Sequence, residues 1–144
     1  MLIDELKNIA RNNGIVGAGG AGFPAYAKMT EKADTVILNC VECEPLLKLH
    51  RQLLATHTEE IIQMLDEVRE SFGAKEAVIG IKSEYVTTIK AIEEVIGDFP
   101  NVRICALKAA YPMGDEVVLI YEATGRVIKP GGLPIDENVV VYNV

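Results

Sequence analysis

Three short runs of β-branched and aliphatic residues, Thr35–Leu38, Ala77–Ile81 and Val102–Leu107, are separated by stretches whose apolar residues recur at helical spacing. This alternation limits the possible folds more than any other feature. A parallel neighbour strand is reached only through a crossover, and helices of about 12 to 15 residues supply one, right-handed by the usual rule. Thr35–Leu38 lacks polar alternation, as strands covered on both faces do. With a last run at Val139–Val141, the expected fold is α/β: a three-layer Rossmann-like sandwich with a mostly parallel sheet of about four strands.

The helical stretches are read as follows. Leu2, Leu6, Ile9 and Ala10 form one stripe, and the helix stops at Asn12-Asn13-Gly14. Pro45 opens a short helix containing Leu46, Leu47 and Leu49. The clearest helix spans Thr58 to Phe72, with Ile61, Ile62, Leu65, Val68 and Phe72 inward, Gly73 at its end, and Thr56 with Glu59 as a capping box. Another runs from Glu84 to Ile96. A final helical stretch begins at Tyr111-Pro112 and continues through Thr124.

The chain has 144 residues, with 14 Lys+Arg against 21 Asp+Glu and a net charge of −7. That length suits one domain with a core large enough to need no staple. An acidic chain without a basic run has nothing to displace counterions from a phosphate backbone, so no nucleic-acid partner is expected. The longest clean apolar run is Val117–Tyr121, far short of the roughly 20 residues of a spanning helix. Direct membrane insertion is therefore not expected. Met1-Leu2-Ile3-Asp4-Glu5 lacks the basic flank of a secretory signal. Three cysteines without disulfide-style spacing point to a reducing, cytoplasmic setting.

Gly17, Gly19 and Gly22 satisfy G-x-G-x-x-G, and Gly20 adds a fourth glycine. The dinucleotide-binding version follows a strand, whereas a helix precedes this one. Either a tight turn or a flat ligand against the backbone explains such density. Cys40 and Cys43 form C-x-x-C at a strand end. Redox work would want a helix N-terminus, and zinc would want two more ligands, so no metal is expected; two semi-buried small residues fit equally. Asn39–Glu44 and Tyr111–Glu116 both follow strands, where open parallel sheets bind ligands. Their acidic residues also fit a solvated surface. His57 reads as part of a helix cap.

Three segments taken in order carry a resemblance: Gly17-Ala18-Gly19-Gly20-Ala21-Gly22-Phe23-Pro24 with Lys28, then Asn39-Cys40-Val41-Glu42-Cys43-Glu44-Pro45, then Tyr111-Pro112-Met113-Gly114-Asp115-Glu116. They resemble the FMN- and NADH-binding domain of the 51 kDa NADH dehydrogenase subunit family. The E-C-E-P of the second segment is similar to the branch holding the Rnf complex C subunit, the cobalamin reductase of propanediol utilisation and the proline-reductase-associated flavoprotein. The resemblance implies an FMN pocket lined by Gly17, Gly19, Gly20, Gly22, Lys28, Asn39, Glu42, Cys43, Tyr111, Gly114, Asp115 and Glu116. The family's N-N-V near the flavin phosphate appears here as Tyr142-Asn143-Val144, so the resemblance implies a place for Asn143 by the phosphate, with Tyr142 departing from the pattern. Phe23, Glu44 and Glu116 would face NADH.

No catalytic side chain is implied, because the flavin carries the hydride; Glu116 would lie nearby. The expected activity is that of an NADH-dependent flavoprotein oxidoreductase, passing electrons from NADH through FMN to an iron–sulfur or other acceptor. The other reading is a docking domain of an electron-transfer complex with an incomplete flavin site. Family members continue into a β-grasp-like domain and cysteine-rich iron–sulfur segments. Residues 1–144 are therefore expected to be one FMN-binding-type domain, the N-terminal module of a longer protein. Its expected partners are NADH and other subunits or domains of an electron-transfer complex. Its expected place is the cytoplasm, the periphery of a membrane complex, or a microcompartment.

Overall fold

A computed structural model of the chain describes residues 1–17, 21–44 and 46–144. Four strands, β1 (Thr35–Cys40), β2 (Glu76–Lys82), β3 (Val102–Leu107) and β4 (Val139–Asn143), make one sheet in the order β3-β2-β1-β4. Every pairing is parallel, with Ile37 opposite both Val78 and Val141. The four-stranded parallel sheet expected from the alternation is therefore present.

The helices are α1 (Ile3–Asn12), α2 (Ala25–Lys28), α3 (Leu49–Thr56), α4 (Thr58–Phe72), α5 (Val86–Val95) and α6 (Glu116–Thr124). Strand side chains alternate between two cores. Val36, Leu38, Ala77, Ile79, Ile81 and Val140 meet Leu6 of α1, Leu54 of α3, Ile62, Leu65 and Phe72 of α4, and Ile92 of α5. Ile37, Val78, Val139 and Val141 meet Leu119, Ile120 and Ala123 of α6. Helices on both faces complete the three layers.

Local details depart from the sequence expectations in three places. The Thr56–Glu59 capping box does not form: the N-cap of α4 is His57, without a side-chain cap. Thr56 Oγ1 instead donates to Gln52 O at 2.9 Å and Thr58 Oγ1 to Leu54 O at 2.7 Å, because α3 ends where α4 begins and its last carbonyls take the hydroxyls. Leu46 and Leu47 lie outside any helix, 92% and 55% exposed, and Pro45 lies outside the described residues. α3 starts later, at Leu49, and runs two turns further than the apolar cluster suggested.

Third, Tyr111–Asp115 is a turn, with Met113 N donating to Ala110 O and Asp115 N to Pro112 O. α6 begins only at Glu116, because Asp115 Oδ1 accepts from Val117 N at 3.0 Å and Val118 N at 3.3 Å, as an N-cap does. Asp115→Ala should therefore destabilise the protein by roughly 1 kcal/mol. A thermal melt would register this as a lower Tm, and an unchanged Tm would show that the cap contributes nothing.

Candidate cofactor site at the C-terminal ends of the strands

In the order β3-β2-β1-β4, the chain moves one way from β1 to β3 and then returns to the far side of β1. The neighbours β1 and β4 are thus the switch point, where open α/β sheets leave a crevice beyond the strand ends. Asn39 and Asn143 stand opposite each other there. Three loops gather around this point.

The first is the glycine segment. Val16 and Pro24 form an isolated antiparallel bridge, Gly17 N donates to Phe23 O at 3.0 Å and Ala25 N donates to Ile15 O. The segment therefore folds back on itself. Gly22 has φ +70°, which a turn demands and a side chain resists. Ala18, Gly19 and Gly20 lie outside the described residues. α2 follows, and its Lys28 Nζ donates to Val141 O at 3.1 Å. That ammonium also stands 3.9 Å from Glu116 Oε1 and 5.9 Å from the centroids of the Phe23 and Tyr142 rings. Tyr142 OH donates to Ala25 O at 3.3 Å, fixing α2 to β4. Burial pushes the Tyr142 phenol well above its usual range.

The second and third loops are locked together. Asn39, 8% exposed, donates from Nδ2 to Gly114 O at 3.1 Å and accepts Val41 N–H at Oδ1. Gly114 N donates to Cys43 Sγ at 3.2 Å. A Cβ on Gly114 would lie 2.1 Å from Val41 O and 2.8 Å from Cys43 Sγ, so this close approach needs a glycine. Asp115 caps α6 through Oδ1. Phe23, Lys28, Asn39, Cys43, Gly114 and Glu116 are thereby joined in one contiguous set.

Glu42, another expected site residue, stands apart from this set. Glu42 is 6% exposed, so it is no solvated surface acid. Its carboxylate is turned toward α3, where Oε1 accepts His50 N–H at 3.0 Å. Cys40 belongs to the core on the α4 side, where burial, with the Glu42 charge adding to it, pushes its thiol up to about 12. Cys40 and Cys43 are free thiols that face different neighbours. Glu44 and Asn143 are exposed, and Tyr111 is 85% exposed. Among the described residues, no group of three His, Cys, Asp or Glu side chains is gathered as metal ligands.

A cavity of about 400 Å³ opens beside β4, walled by Leu133, Pro134, Ile135 and Val139–Val141, with Phe23, Lys28 and Glu116 also lining it. The strand was legible in the sequence as an element. Nothing in the pattern says that Leu133–Ile135 folds back beside the strand as a cavity wall.

The fold defines a doubly wound α/β domain with a candidate crevice at the strand C-termini. Residues 10–144 match the family described as the Nuo51 FMN-binding domain, and the chain belongs to that family. It is 40% identical over 139 residues to the cobalamin reductase PduS of Citrobacter freundii, covering 96% of this chain and 30% of that protein. It is 37% identical over 145 residues to the C subunit of the Na(+)-translocating ferredoxin:NAD(+) oxidoreductase complex of Acetobacterium woodii, covering 98% of this chain and 33% of that protein. Among solved structures, an air-oxidized NAD+-reducing NiFe hydrogenase shares the fold with a TM-score of 0.80 at 25% identity, over 98% of this chain and 28% of that one. The chain thus spans no more than about a third of these relatives. No helix among the described residues is long and apolar enough to cross a membrane.

The residues present fit a flavin mononucleotide. A planar ring system needs apolar walls and close backbone approach, and its phosphate needs a cation. Apolar cavity walls beside Phe23 meet the first need, strand β4 running along the cavity at Val139–Val141 the second, and Lys28 the third.

Proposed function

We propose that the chain binds FMN in this crevice and works as an electron-transfer domain, taking reducing equivalents from NADH and passing them to an iron–sulfur or other acceptor. Residues 1–144 would form one domain of a longer oxidoreductase, with other subunits or domains of an electron-transfer complex as partners. Family membership supports the flavin. FMN, when bound, supplies the hydride acceptor and the means to release electrons singly.

The chain's own residues bind and orient. Gly17, Gly19, Gly20 and Gly22 would let the backbone approach the ligand, and Asn39, Cys43 and Gly114 would frame it from the β1 side. Asn143, at the end of β4, and Tyr111 and Asp115, in the third loop, complete the proposed pocket. Phe23, Glu44 and Glu116 would face the nucleotide, with Phe23, 53% exposed, offering a stacking face. No side chain need take up or give a proton.

The observation that carries this reading is Lys28. Its carboxylate partner, Glu116, is 3.9 Å away and the two side chains are 38% and 42% exposed, a pairing worth at most about 1 kcal/mol. The ammonium also donates to Val141 O at 3.1 Å, and beside an apolar cavity and an open aromatic ring it is placed to exchange its weak carboxylate partner for a ligand's anionic group. Titration of the chain with FMN, followed by quenching of flavin fluorescence, should show saturable binding, and anaerobic NADH should bleach the bound flavin. Lys28→Gln should weaken FMN binding about tenfold, or about 1.4 kcal/mol. Wild-type affinity in that variant removes Lys28 from the site. Absence of FMN binding by the wild-type chain would overturn the proposal in favour of a docking domain.

A further inference from the structure

Glu42 combines three features. Its side chain is 3% exposed, its Oε2 is buried without a hydrogen bond, and its Oε1 accepts the backbone N–H of His50 at 3.0 Å. His50 is the second residue of α3, a helix whose own N-cap, Lys48, supplies no side-chain cap. A carboxylate eight positions upstream thus provides the acceptor that a local Ser or Asp would normally give, at the helix end where negative charge is favoured.

α3 is in turn fixed. The Arg51 guanidinium lies 4.4 Å from the centroid of the Tyr85 ring, and its Nε is 3.8 Å from Glu42 Oε2. Thr88 Oγ1 of α5 donates to Arg51 O at 3.0 Å. The Glu42 carbonyl is held as well, by Lys82 Nζ of β2. A buried carboxylate with an unmatched oxygen is costly, so its partners must outweigh that penalty. They tie the segment after β1 to two elements that do not themselves border the cavity.

We propose that Glu42 is a positioning residue: by capping α3 it holds Val41–Glu44 in place and so keeps the Cys43 sulfur against the Gly114 amide at the candidate site. This rests on the proposed function only for its consequence for FMN. The hold on Cys43 is testable without any ligand.

The test is alkylation of the 144-residue chain by iodoacetamide, with each cysteine followed by peptide mass spectrometry. In Glu42→Ala, Cys43 should react about tenfold faster than in the wild type, while Cys40, buried in the core, stays protected. Glu42→Gln keeps an acceptor for His50 N–H and should leave Cys43 close to its wild-type rate. The double variant Glu42→Ala/Lys48→Asp gives α3 a cap at its own N-terminus and guards against loss of folding. It should recover Tm but keep the fast Cys43 reaction, because the tether stays broken.

Three results overturn the proposal: an unchanged Cys43 rate in Glu42→Ala, equal acceleration at Cys40 and Cys43, or a return of Cys43 protection in the double variant. The second would mark general destabilisation and the third a purely local cap. Where the wild type binds FMN, Glu42→Ala should also weaken it about tenfold. A wild type that binds none refutes the proposed function and leaves the alkylation result to decide this one.

Discussion

FMN affinity should fall at least about a hundredfold in Gly114→Ala, equivalent to about 2.8 kcal/mol. The added methyl would lie 2.1 Å from Val41 O and 2.8 Å from Cys43 Sγ. The first neighbour is backbone and cannot rotate away, so the loop carrying residue 114 and the end of β1 must separate by about 1 Å. That shift stretches both bonds joining the loops, Asn39 Nδ2 to Gly114 O and Gly114 N to Cys43 Sγ. The proposed pocket then loses the register between its second and third walls. Overpacking of this kind also destabilises by about 1–3 kcal/mol, so the fluorescence titration should be run well below the variant's Tm. Wild-type affinity in folded Gly114→Ala would exclude the Tyr111–Glu116 loop from the site.

Long-range order was legible because buried strands write themselves in unbroken Val and Ile. Thr35–Leu38 and Ala77–Ile81 are buried on both faces, whereas Val102–Leu107 is an edge strand with Arg103 and Ala106 exposed, and the helices between the runs dictated parallel pairing. The site was legible only as far as sequence neighbours stay spatial neighbours. Asn39 and Gly114 meet because one stands at the C-terminal end of β1 and the other in the loop that follows β3. The fate of Glu42 does not follow from the pattern. Whether an acid beside a strand end turns toward solvent, ligand or a helix N-terminus depends on where α3 starts, and the apolar cluster Leu46-Leu47-Leu49 placed that start too early. Thr56 misled for a related reason. S/T-x-x-E marks a helix start only when the hydroxyl has no preceding helical carbonyl to bind, and here Gln52 O lies within reach.

Phe72→Ala should remove about 3–5 kcal/mol of stability, a large share of the roughly 5–15 kcal/mol that holds such a domain together. Phe72 is 2% exposed in the core between α4 and the sheet. It sits one residue before Gly73, which ends α4 in the left-handed conformation, so neighbouring backbone is held in place and will not collapse into the void. For a chain of this length the change corresponds to a Tm lower by roughly 6–20 °C. The same variant should bind FMN within about threefold of wild type while folded. Phe72 lies at the opposite end of the sheet, just before β2 begins. Phe23, 53% exposed, is the converse. Its truncation should shift stability by no more than about 0.5 kcal/mol and weaken nucleotide binding instead. Burial, not residue type, separates the two phenylalanines. A melt and a titration on both variants test that separation directly, and a loss of FMN affinity in Phe72→Ala as large as in Gly114→Ala would show that core and crevice are not independent.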